Sequence, residues 1–97
     1  MSRIPNTDVN GKAFGQTTVG AVWDKGRKLS GYDLNVWRFD VCGNVIKNSA
    51  YGDVLSIYGW EVDHIKPVSK GGTDNLSNLQ PLQCEANRAK GDTYPWS

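Results

Sequence analysis

Hydrophobic and polar positions keep a legible rhythm in only a few places along this chain. The clearest is "WEVDHIKPV", residues 60–68, where Trp60, Val62 and His64 alternate with Glu61 and Asp63. That is the period of a strand whose successive side chains point to opposite faces, and Pro67 ends its pairing. "SKGGTDNLS" then reads as a loop from its composition, and "NLQPL" as a second short strand that Pro81 confines to an edge or an end. "QCEANRAK" consists largely of helix formers and is free of Gly and Pro until Gly91, a plausible C-terminal stop with Pro95 beyond it. The C-terminal third is thus predicted to run strand, loop, strand, helix.

The first two thirds carry weaker signals. Residues 1–16, "MSRIPNTDVNGKAFGQ", are rich in Gly, Asn and Asp without periodicity and read as a flexible, poorly ordered arm with little chemistry. In "TTVGAVWDKGRKL", Val19, Val22, Trp23 and Leu29 fall near helical spacing, with Thr17 or Thr18 as N-cap, although Gly20 and Gly26 weaken that helix. "SGYDLNVWRFD" reads as an irregular segment packed through Tyr32, Leu34 and Trp37, and "VCGNVI" as a hairpin turning at Gly43 and Asn44. "KNSAYGD" has the makings of one helical turn stopped by Gly52. There is no internal repeat or low-complexity tract.

Length then limits the picture to one small domain, since 97 residues with 38% hydrophobic content can enclose one modest core. The expected class is α+β, with residues 17–97 as the folded domain. Four Trp, four Tyr and two Phe supply the bulk that the scarcity of Met and long aliphatics withholds. No stretch approaches the roughly eighteen apolar residues of a membrane span, and a soluble cytoplasmic protein is expected. A net charge of +1 neither demands nor excludes a nucleic acid partner, and Arg27, Lys28 and Arg38 read as a solvated basic face. Cys42 and Cys84 are compatible with a disulfide, two free thiols or the relics of a metal site, free thiols being the cytosolic default.

The candidate chemistry centres on the single histidine, which directly follows Asp63. Neighbours on a strand point apart, so Asp63 and His64 cannot ligate one metal together, but they can serve the two sides of one phosphate. In-line displacement at phosphorus asks for a base on the attacking water and a cation on the leaving oxygen. His64 suits the first task, and Asp63, a hard oxygen donor, suits the second. A second donor is available in Asn87 on the following helix. One carboxylate and one amide oxygen, completed by water and substrate, suit Mg²⁺ or Mn²⁺, with Ni²⁺ or other transition metals usable in vitro. Arg88 and Lys90 follow on the same helix as candidates for flanking phosphates. Glu61, turned away from His64 by the alternation, falls outside this site.

Taken together, "VDHIKPVSKGGTDNLSNLQPLQCEANRAKGD" resembles the HNH endonuclease motif, the ββα-metal fold: Asp-His followed by Pro, a Gly-Gly loop, Asn before "LQ", and a final His or Asn ahead of a basic residue and Lys. The three named positions here are His64, Asn78 and Asn87, so the chain looks like the variant with Asn last, which also occurs in the HNH domain of RNA-guided nucleases. The match covers about residues 60–92. It implies His64 as general base, Asp63 and Asn87 as holders of one divalent cation, and Asn78 as the residue that bonds backbone across the loop and so orients His64. The implied activity is hydrolysis of DNA, most simply double-stranded, to 5′-phosphate and 3′-hydroxyl ends with little sequence preference, so that a protein partner or dimer would supply specificity. Many members brace the motif with a zinc knuckle of two Cys-x-x-Cys pairs. The corresponding positions here are Phe39, Cys42, Gln83 and Ala86, while Cys84 is one residue out of register. No structural zinc is therefore expected, and aromatic packing by Trp37, Phe39 and Trp60 is expected to replace it. The rival expectation is a nucleic-acid-binding accessory with a dead or weak site, as in phage DNA packaging; a toxin-type nuclease would keep the chemistry and change the biology.

Overall fold

The computed structural model describes residues 3–96. Seven elements carry the architecture: α1 (Gln16–Trp23), β1 (Arg27–Lys28), β2 (Trp37–Phe39), β3 (Val45–Lys47), β4 (Trp60–His64), β5 (Leu79–Gln83) and α2 (Cys84–Lys90). β1, β2 and β3 form an antiparallel sheet in that order, and β4 and β5 form a separate antiparallel pair. The class is α+β.

β4 organises the rest, because all five of its residues are buried. Its even-numbered side faces the core, where Trp60 packs on Trp23 at 5.3 Å and meets the edge of Tyr51 at 4.9 Å, in a cluster with Val22, Ile46, Val62 and Leu79. Its odd-numbered side faces α2, whose buried residues Cys84, Asn87 and Lys90 recur every three positions and form one stripe. A seven-residue helix has no stability of its own in water, so this docking is what holds α2 folded.

The register explains why a proline is tolerated in β5. Ile65 N donates to Asn78 O and Cys84 N to Gly59 O, so the intervening Val62–Pro81 pair is a non-hydrogen-bonded one. The proline nitrogen then points away from β4, where no donor is missed. By the same parity Val62 N points to the outer edge of β4. There it donates to Asn6 Oδ1 at 2.9 Å, and Tyr51 OH donates to the same oxygen at 2.9 Å. Asn6 adopts a left-handed φ of 61°, a conformation that Asn tolerates better than most residues. The segment read from composition as an arm with little chemistry is therefore tied to β4 through Asn6 and Phe14, with a Thr7–Ala13 bridge and Asp8 closing its own turn.

The N-terminal elements differ from the sequence expectation in three ways. α1 starts after Gly15 without a side-chain cap and stops at Trp23, because the chain turns through Lys25 and Gly26 into β1. The supposedly irregular segment contains β2, a strand of only three residues. Arg38 is not on a solvated face: it bonds the Leu34, Asp24 and Gly26 carbonyls and lies over the Trp23 ring at 5.7 Å.

The link between this meander and the C-terminal hairpin also departs from expectation. Trp60 is fully buried, but Trp37 and Phe39 are only half-buried, under Lys47 and Arg27 respectively. The tie is instead the buried Asp40 carboxylate, which accepts from Cys42 N and Asn44 N in its own turn and from Gln83 N at 2.9 Å, at the start of α2. Both cysteines are free, Cys42 exposed and Cys84 buried, and burial pushes the Cys84 thiol up to about 11.

The loop between β4 and β5 uses its two glycines for different reasons. Gly71 has a φ of +90°, which L side chains rarely adopt. Gly72 has ordinary backbone, but a Cβ there would fall 1.7 Å from Lys66 O, the carbonyl that Asn78 Nδ2 also holds. Gly71→Ala is expected to cost about 1 kcal/mol, and Gly72→Ala about 3 kcal/mol, the upper end for overpacking. Urea denaturation of the two variants checks this; equal losses would remove the close-approach explanation.

Candidate active site

Each ionisable side chain of β4 is buried, and each is met by a partner from a different element. Glu61, 3% exposed, accepts from Asn87 Nδ2 at 2.8 Å and from both ends of the Arg88 fork, at 2.5 and 3.0 Å. A carboxylate only accepts, so it fixes which end of the Asn87 amide faces it, and the Asn87 carbonyl oxygen is left as the group free to bind a ligand. Alternation alone places Glu61 outside the site, but its bond to Asn87 makes it part of the site's support. The strand turns it away from His64, but towards α2, where it aims Asn87.

Asp63 lies two residues on, on the same side. Gln80, its partner across the hairpin, donates to Oδ2 at 3.0 Å, and Lys90 Nζ lies 3.3 Å from the carboxylate. Burial pushes the Asp63 carboxyl above its usual range, against the opposing pull of the Gln80 and Lys90 hydrogen bonds and the nearby His64. Lys90 is 2% exposed and also donates to His64 O at 2.9 Å. This corrects its expected place among the phosphate-binding residues: the ammonium is held inside the fold as the counter-charge of Asp63, because the stripe of α2 that carries it faces the hairpin. Arg88, on the helix flank, keeps its side chain 45% exposed while paired with Glu61.

His64 closes the strand with its ring on the opposite side. Its Nε2 meets Asp74 Oδ1 at 2.8 Å, and the ring packs on Phe14 with centroids 5.8 Å apart. Among the described residues its Nδ1 has no hydrogen-bond partner and is not sealed from solvent, and His64 lines the adjoining cleft. Asn78 sits away from the reacting face. Its amide accepts from Lys66 N at 2.8 Å and donates to Lys66 O and Thr73 O at 3.1 and 2.9 Å, tying both ends of the loop that leaves β4.

Asp63, His64, Asn87 and Arg88 line one cleft of about 610 Å³, whose opposite wall is the N-terminal segment from Arg3 to Thr7. No group of three or more His, Cys, Asp or Glu suited to a metal exists among the described residues. The oxygens that Asp63 and Asn87 bring to the cleft, one carboxylate and one amide, are hard donors of the kind that suits Mg²⁺ or Mn²⁺, and the Asp63 carboxylate is also engaged by Gln80 and Lys90. Sequence reasoning missed Glu61 and Asp74. The first was visible only as an alternation whose covering element was unknown, and the second carried no signal inside a polar loop.

Because Asp63 and Lys90 are buried against each other, removing one leaves the other uncompensated. Lys90→Met is expected to destabilise the fold by about 3–5 kcal/mol at neutral pH. The sign of its pH dependence follows from Asp63: with its carboxyl raised further, the folded state holds the proton more tightly than the unfolded chain does, so the deficit shrinks as pH falls and is full above the raised value. Chemical denaturation at several pH values measures this. A deficit that grows towards acid would contradict the pairing.

Searches of curated proteins and of solved structures returned no match. The family model for HNH endonuclease, however, matches residues 40–93 of the 97. That span runs from the Asp40 tie through both strands and α2, and so takes in every motif residue around the cleft. On that match and this geometry, the chain belongs to the HNH endonuclease family.

Proposed function

We propose that this protein is a metal-dependent endonuclease that hydrolyses phosphodiester bonds in double-stranded DNA. The observation that carries the reading is that Asp63, His64 and Asn87 line one cleft, with no partner among the described residues for His64 Nδ1 or the Asn87 carbonyl, while His64 Nε2 and Asn87 Nδ2 are engaged. His64 Nδ1 takes the proton from the attacking water, and Nε2 stays bonded to Asp74. Asp63 and Asn87 would hold one Mg²⁺ or Mn²⁺, which when bound would neutralise charge developing on the phosphate and on the leaving 3′ oxygen. The outward edge of the Arg88 guanidinium, fixed by Glu61, meets a flanking phosphate. With backbone contacts dominating, sequence preference is low, and a protein partner or dimer supplies any specificity.

Plasmid nicking in Mg²⁺ or Mn²⁺ tests the reading. His64→Ala is expected to lose about 10² to 10⁴ in rate with DNA binding retained, the range of a lost general base. Absence of cleavage by wild type in Mg²⁺, Mn²⁺ and Ni²⁺, with salt-sensitive binding intact, would leave a nucleic-acid-binding accessory instead.

A further inference from the structure

His64 is held by a carboxylate that the motif does not name. Asp74 Oδ1 lies 2.8 Å from Nε2, on the side of the ring away from the open Nδ1. The Asp74 carboxylate is itself held: Val9 N donates to it, 3.2 Å from each oxygen. Asn78 fixes the backbone immediately before it, donating to Thr73 O at 2.9 Å. Phe14 packs against the imidazole ring, so the histidine is gripped at one nitrogen and on one face.

From this we infer that Asp74 is the positioning residue of the imidazole. The carboxylate only accepts, so it requires the ring proton on Nε2, and a neutral ring with its proton there presents an unprotonated Nδ1 to the cleft. When Nδ1 takes a proton from water, the carboxylate lies against the cation that forms. Asn78 acts on the histidine through Asp74, by setting the loop that carries it. Val9 and Phe14 give residues outside the C-terminal motif a part in the same alignment. The inference rests on His64 being the base proposed above.

One histidine in the chain makes the test direct. The nitrogen-15 spectrum of the wild-type imidazole in mildly alkaline buffer is expected to give the Nε2–H tautomer. In Asp74→Asn the amide oxygen can remain on Val9 N and turn the amide N–H towards Nε2, so the spectrum shifts towards the Nδ1–H form, while Asp74→Ala gives a mixture. In the cleavage assay both variants are expected to lower kcat by about 10- to 100-fold, the size of a lost outer partner of a functional imidazole, with KM unchanged. The Asp74 side chain is 34% exposed, so the variants are expected to fold, and circular dichroism verifies it. An Nδ1–H tautomer in the wild type, or variants that leave both spectrum and kcat unchanged, would overturn the inference. An inactive wild type would count against the nuclease reading, and the spectra would still decide the hydrogen-bond alignment.

Discussion

A strand buried along its whole length that carries three ionisable side chains is the constraint from which the rest of this structure follows. An unpaired polar group in such a place costs several kcal/mol, and an unpaired charge more. Glu61, Asp63 and His64 therefore each draw in a partner: Arg88 and Asn87, Lys90 and Gln80, and Asp74. The pairings dock α2 across the odd-numbered side of β4 and draw the β4–β5 loop against its end. They also leave the Asn87 carbonyl and His64 Nδ1 without a partner among the described residues, on two residues that line one cleft.

A two-stranded hairpin and a seven-residue helix cannot sustain such burial alone, since each is marginal in water. The preceding residues make up the difference. Trp60 enters a core built by Val22, Trp23 and Ile46. Asn6 and the Tyr51–Gly52 backbone occupy the outer edge of β4, which would otherwise offer unpaired groups for association. Asp40 joins the β2–β3 turn to the start of α2 with hydrogen bonds. The tie uses a buried carboxylate and backbone N–H groups.

The ββα order was legible because its signals are local. β4 is long enough to show a period of two, α2 is rich in helix formers and ends at a glycine, and Pro81 marks a strand position without a ladder hydrogen bond. β1 and β2 showed no period, because strands of two or three residues are too short to display one, whereas the turn expected at Gly43 and Asn44 does join β2 to β3. The segment before α1 looked featureless for a related reason: it is held by the Asn6 side chain, by Val9 N on Asp74 and by the single aromatic Phe14, which make no periodic pattern.

By itself, the amino-acid sequence determined the order of the C-terminal elements, the residue types available for chemistry and, through its motif, the family. Alternation also put Asp63 and His64 on opposite sides of β4, because side-chain direction on a strand follows from backbone geometry alone. What covers each side was decided only by the tertiary fold. Alternation says that Glu61 points away from His64, but not that a helix waits there; composition says that Lys90 is cationic, but not that it is buried beside Asp63. Asp74 reaches His64 across a loop whose shape depends on Asn78 and Gly72. Hydrogen-bond partners and burial are properties of packing between distant segments, and a one-dimensional pattern carries no distance.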